Sequence, residues 1–163
     1  AGFAYANSRF EAGTGDDTIP RALCASLATC PTTGVYSANI ADRAIPRAPK
    51  LQFTAGATYR QPIGSLLGKE TEIVARADFS HTGKAYTDNT NTAFVGARDL
   101  VDASIGLSNE TWSLRFWAKN LFDKQYVSYA FTTFAGSGAG SGVTYGVLLG
   151  DRRTLGATLS FNF

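Results

Sequence analysis

The residues of this chain best equipped for chemistry are one histidine, two cysteines and a few oxygen-rich clusters. His81 has no nucleophile elbow, no HExxH pair and no carboxylate pair in a defensible setting to work with, so no enzymatic activity is expected. Asp16-Asp17 and Asp88-Asn89 with Asn91 offer oxygens to Ca²⁺. Neither has the spacing or the closing Glu of an EF-hand loop, and both read as solvated turns. Gly136-Ser137-Gly138-Ala139-Gly140-Ser141-Gly142 has the composition of a phosphate cradle but lacks the Lys and the following helix, so it reads as a flexible loop. Cys24 and Cys30 are too few for a metal site, and His81 is far away in sequence. A short-loop disulfide in an oxidising compartment is the expected state, with two free thiols as the alternative. No cofactor and no metal are expected.

The elements that would carry these residues are strands. The last ten residues alternate strictly: Leu155, Ala157, Leu159, Phe161 and Phe163 on one face, Thr154, Gly156, Thr158, Ser160 and Asn162 on the other. A strand of about 9–11 residues tilted across a bilayer has this length and pattern. Five further segments read as strands: Phe3 to Phe10, Pro49 to Gln61, Glu70 to Ser80, Leu100 to Ser108, and one beginning at Thr111. None shows a helical period over a useful length, and no apolar run approaches the ~18 residues of a transmembrane helix.

Connection lengths alternate. Ala12 to Ala48 is long, Pro62 to Lys69 short, His81 to Asp99 long, Asn109-Glu110 a tight turn, and the stretch around Phe134 to Gly142 long again. Short turns at one end and long loops at the other are the asymmetry of outer-membrane barrels. Charge supports the same reading, because Arg60, Glu72, Arg76, Asp78, Asp102, Arg115 and Lys119 all fall on the polar face of their strands. A cation on the lipid face near the midplane costs ~2–4 kcal/mol, so a barrel must sort them this way. Trp112, Phe161 and Phe163 fall near the short-turn ends, where an interfacial aromatic girdle belongs. The net charge of +2 is small and dispersed, which excludes nucleic acid as a partner.

Asn120-Leu121-Phe122-Asp123-Lys124-Gln125-Tyr126, then Gly150-Asp151-Arg152-Arg153-Thr154-Leu155-Gly156 and the aromatic C-terminus, resemble the end of a TonB-dependent outer-membrane receptor. The family commonly carries a NLFDKxY run, then a G-[DE]-P-R-T-x-G run before a terminal Phe. Arg152 stands here where Pro is usual. The resemblance implies an all-β fold: an antiparallel, up-and-down transmembrane barrel of about 22 strands around a plug. Residues 1–163 would be the C-terminal part of that wall, about its last six strands. With no Met and no signal peptide, the chain reads as a piece of something longer. Nothing in it resembles the plug or the TonB box that contacts TonB.

Several expectations follow from the resemblance. The chain would lie in the outer membrane of a Gram-negative bacterium, in contact with lipid and lipopolysaccharide. Its partners would be the remaining receptor polypeptide, TonB acting through the plug, and a scarce small-molecule nutrient of siderophore, vitamin, sugar or peptide type. The Cys24–Cys30 loop would be extracellular. Ligand contacts would come from aromatic and cationic residues of the loops and upper lumen: Tyr86, Arg98, Tyr126, Tyr129, Phe131 and Arg152. Leu159, Phe161 and Phe163 of the terminal strand would serve barrel assembly. The alternatives are a small self-associating outer-membrane barrel with a passive-pore or adhesion role, and a soluble all-β binding domain.

Overall fold

A computed structural model describes residues 1–16, 37–135 and 142–162. Cys24, Cys30, Asp17, residues 136–141 of the Gly/Ser-rich run and Phe163 lie outside these. Every regular element among the described residues is a strand. Six of them, β1 (Gly2–Tyr5), β4 (Leu51–Leu66), β5 (Lys69–Thr82), β8 (Arg98–Ser108), β9 (Trp112–Lys119) and β12 (Thr154–Phe161), form one antiparallel sheet in the order β1-β4-β5-β8-β9-β12. Three two-stranded ribbons decorate it: β2 (Thr14–Asp16) with β3 (Ser37–Asn39), β6 (Ala85–Tyr86) with β7 (Phe94–Val95), and β10 (Val127–Ala135) with β11 (Gly142–Leu149).

Register sorts the two faces of the sheet. Ala57, Ala77, Ala103, Ala118 and Leu155 pair in one row, and Tyr59, Ala75, Ile105, Phe116 and Ala157 in the next. On the opposite face run Arg60, Val74, Gly106, Arg115 and Thr158. A one-residue slip in any pair would carry an arginine row into the apolar face, so the pattern pins the register. Buried apolar residues are few among those described, namely Ile40, Ala118 and Ala130. Tyr59, Ile105, Phe116, Leu155, Leu159 and Phe161 instead stand exposed on the apolar face. A contiguous exposed apolar face of this kind suits lipid and not a water-facing surface.

Short connections close one end of the sheet. Leu66 pairs with Lys69 around Leu67 (φ 54°) and Gly68 (φ 76°). Positive φ at both central residues is the geometry whose twist matches that of the flanking strands. Asn109 turns the chain between β8 and β9, its Oδ1 accepting from the amides of Thr111 and Trp112, both at 2.9 Å. Trp112 and Phe161 pair at this same end.

Several boundaries differ from the sequence reading. β4 continues five residues past Gln61, because a bulge between Pro62 and Gly64 (φ 92°) absorbs the missing proline amide. The first strand is shorter than Phe3 to Phe10, ending at Tyr5 and followed by an isolated bridge between Arg9 and Ala44. β6–β7 and β10–β11 are additional strands inside stretches read as connections. Charge is also not wholly absent from the apolar face. His81 and Asp99 pair there in register, at the long-loop end, with Nδ1 and Oδ1 2.7 Å apart.

Candidate functional site

The long-loop end gathers the cations and aromatic rings. Arg98 opens β8, and its guanidinium carbon lies 5.4 Å from the centre of the Tyr126 ring. Tyr129 and Phe131 alternate along β10 and so share a face, where their rings stack at 6.1 Å. Phe131 also lies over Gly146 of β11, its direct cross-strand partner, where a Cβ would overlap the ring. Arg47 reaches the same cluster from the long connection before β4. Its guanidinium lies 5.0 Å from the Tyr129 ring centre and donates to the Tyr129 hydroxyl. Cation–π contacts of this kind hold the positive charge near the ring without neutralising it.

These residues surround a cavity of about 230 Å³ whose walls include Arg47, Gln52, Tyr86, Arg98 and Tyr129. No carboxylate among the described residues lines it. Neither arginine has an ion pair among the described residues, so within these the cavity sets two positive charges beside two phenol rings. A second cationic ring cluster adjoins it, with Lys84 Nζ 4.6 Å from the Tyr86 ring centre and 4.1 Å from that of Phe94. Such a site suits ligands that combine negative charge with flat, polarisable surface.

Backbone clamps hold Arg47 in place. The Arg47 amide donates to the Tyr86 carbonyl at 2.8 Å. Three residues earlier, Asn91 bonds both the amide and the carbonyl of Ala44, at 2.7 and 2.9 Å. Asp88 shapes the loop that presents Asn91. Its carboxylate accepts from the Thr90 hydroxyl and from the amides of Thr92 and Ala93, at 2.8 to 2.9 Å. Burial pushes the Asp88 carboxyl up, but those donors together outweigh burial and hold it below the usual carboxylate value. Its oxygens therefore serve the loop.

A second junction stands where β9 and β12 leave the sheet. Asn120 (φ 47°) is buried, its amide donating to the carbonyls of Lys124 and Asp151 at 2.9 Å each while its Oδ1 accepts from the Lys124 amide at 2.8 Å. The Asn120 backbone amide donates to Asp102 Oδ1 at 2.9 Å. Asp123 accepts from Arg152, whose Nε is 2.8 Å away, and from the Arg153 amide at 2.9 Å. These donors hold the Asp123 carboxyl well below the usual carboxylate range. Tyr126 covers Gly150, where a Cβ would overlap the ring.

Of the residues the sequence pointed to, Tyr86, Arg98 and Tyr129 line the cavity. Tyr126 supports Arg98, and Phe131 supports Tyr129. Arg152 stands apart, committed to Asp123. Leu159 and Phe161 lie on the apolar face of β12. Sequence reasoning missed Arg47, Lys84 and Phe94. The signal for Arg47 is thin: a lone cation between Pro46 and Pro49, in a stretch where nothing alternates.

A protein-family model described as TonB dependent receptor-like, beta-barrel, matches residues 1–121. Among solved structures, the chain is similar to the ferric yersiniabactin uptake receptor FyuA from Yersinia pestis. The TM-score is 0.55 at 22% sequence identity, over 76% of this chain and 18% of that receptor. The likeness is one of fold, and this chain spans only that small share of the receptor's length.

Proposed function

The chain belongs to the TonB-dependent receptor-like β-barrel family, and from that premise we propose that it forms wall strands of an outer-membrane receptor that imports a scarce nutrient. The observation that carries this reading is the separation of faces. One side of the sheet is apolar through the membrane band, and the other carries Arg60, Glu72, Arg76, Asp78, Asp102, Arg115 and Lys119. On this reading the charged side is the lumen and the long-loop end is extracellular. The cavity of Arg47, Tyr86, Arg98 and Tyr129 then lies where an arriving ligand meets the wall. Its two cations, without an ion pair among the described residues, and its phenol rings favour an anionic, ring-bearing solute. Ferric yersiniabactin, the ligand in the name of FyuA, is a candidate to test. The remaining wall and the plug are the partners this reading requires, with TonB acting through the plug.

Uptake tests the proposal. Cells producing the complete receptor are offered ferric yersiniabactin, cyanocobalamin, a maltodextrin and an oligopeptide, each labelled, with and without functional TonB. Accumulation of one probe only when TonB is functional is the expected result. Uptake that ignores TonB, or no uptake of any of the four, overturns it.

A further inference from the structure

The apolar face of the sheet carries charge at one level only. Among the described residues, from the Trp112–Phe161 pair at the short-turn end up to Phe79, it presents no acidic or basic side chain on β4, β5, β8, β9 or β12. Then His81 of β5 and Asp99 of β8 stand side by side as a cross-strand pair. Trp112 and Asn109 share a level, since the Asn109 amide donates to the Trp112 carbonyl. From that level to Asp99 the strand runs about 33 Å at ~3.3 Å per residue, or about 25 Å of height at the usual tilt of ~40°. That is the height of an apolar membrane band, so the pair lies at its outer border.

The pair is oriented. An ionised carboxylate only accepts, so the shared proton belongs to His81 Nδ1, which donates to Asp99 Oδ1 at 2.7 Å. That bond fixes the ring and leaves Nε2 for an outside partner. Nε2 has no hydrogen-bond partner among the described residues and is not buried, and Asp99 is exposed. Aromatic rings border the pair. Phe53 is the direct partner of His81 on β4, Phe3 of β1 is the partner of Phe53, and the Phe79 ring lies 6.0 Å from that of Phe53. β5 and β8 each keep a neighbour on both sides, and the face is the one turned away from the barrel interior. Neither a plug nor further wall strands therefore stand over it.

We infer that His81 and Asp99 form a docking site for the phosphorylated headgroup of a glycolipid in the outer leaflet. When the imidazole is protonated, Nε2–H donates to a phosphate oxygen while Nδ1–H stays on Asp99. The second oxygen of Asp99 accepts from a hydroxyl or amide of the adjoining sugar, and Phe3, Phe53 and Phe79 meet the lipid beside it. Asp99 repels the phosphate itself, so a donor and an acceptor side by side seat the headgroup in one orientation. The level of the pair sets the occupant: a phosphate held at the border of the band, on the long-loop side, belongs to a lipid and not to a solute in passage. The inference rests on the outer-membrane wall reading for its side of the membrane, and import plays no part in it.

Chemical protection in the complete receptor tests the site without a transport assay. Diethyl pyrocarbonate modifies accessible imidazoles, and mass spectrometry locates the adduct on His81, the one histidine of this chain. Receptor in detergent micelles is mixed with lipopolysaccharide, with the same lipopolysaccharide stripped of phosphate, with phosphatidylethanolamine or with inorganic phosphate. Intact lipopolysaccharide should slow modification of His81 about tenfold relative to the stripped form, the span of one charge-assisted contact. The other two additions should leave the rate as it is in micelles alone. Equal rates with intact and stripped lipopolysaccharide overturn the site. Unreactive His81 in micelles alone also overturns it, because another part of the receptor then covers the ring. Equal protection by phosphatidylethanolamine or inorganic phosphate would overturn the glycolipid as the occupant. Asp99→Asn should keep His81 reactive and lose most of the protection, and full protection in that variant would overturn the role of Asp99. Protection without TonB-dependent uptake would sink the importer reading and leave the site standing, and uptake without protection would do the reverse.

Discussion

Asp123 and Asn120 show why two short runs, thirty residues apart, carry so much information. Asn120 uses both amide hydrogens and its oxygen to tie the end of β9 to the stretch before β12. Only Asn fits that position, since the backbone is left-handed and the buried amide must satisfy two carbonyls. Asp123 completes the tie through Arg152 and the Arg153 amide. Arg152, where the family usually has Pro, thus gains a structural partner and stands apart from the cavity of Arg47 and Arg98. Because the folded carboxyl titrates below its unfolded value near 4, its contribution is full above about pH 4 and is lost as pH falls through the folded value. Asp123→Asn should therefore melt below the native receptor at neutral pH, and the gap should close in acid. Thermal melts in detergent from neutral pH to about pH 2 check this. A gap that stays constant across that range would mean the carboxylate's charge is not what holds the junction.

At the scale of the strand, the apolar face is the feature with the largest energetic consequence. Ile105 sits mid-band on β8 between Ala75 and Phe116 and is 56% exposed. Ile105→Arg should cost ~2–4 kcal/mol if that surface meets lipid near the midplane. Ser104→Arg, its neighbour on the charged face, should be mild. Urea unfolding of the complete receptor in lipid vesicles separates the two, and equal costs would mean that neither face meets lipid. These strands were legible in the sequence because an alternating chain in register exposes one chemistry per face, as Leu155 to Phe161 does. β10 and β11 were not legible, because apolar groups occupy both of their faces: Phe131 and Leu148 on one, Tyr145 and Val147 on the other. The bulge at Pro62 was also hidden, since proline and glycine read as a strand end until the partner strand is seen to absorb them. Of the candidate site, the rings and Arg98 could be found by residue type at the right end of the strands. Arg47 could not, because only the Asn91 and Tyr86 backbone contacts bring it there.

The whole sheet has a consequence that no single strand has. Among the described residues, β1 pairs only with β4 and β12 only with β9, so each outer strand leaves one row of backbone groups without a partner in the sheet. Lipid cannot satisfy such groups, and each costs several kcal/mol in hydrocarbon. Barrel closure removes the cost by pairing each edge with a further strand. In the complete receptor, the β12 amides that point away from β9 should then be as slow to exchange with deuterium as those inside the β4–β5 pair. In the 163-residue chain held alone in micelles, the same amides should exchange orders of magnitude faster, since opening then costs close to nothing. Hydrogen exchange read over residues 154–161 distinguishes the two. Fast exchange in both preparations would mean that β12 is a true edge and that the wall does not close beside it. Slow exchange in both would point instead to self-association of this chain through its edges, the route to a small barrel without the rest of a receptor.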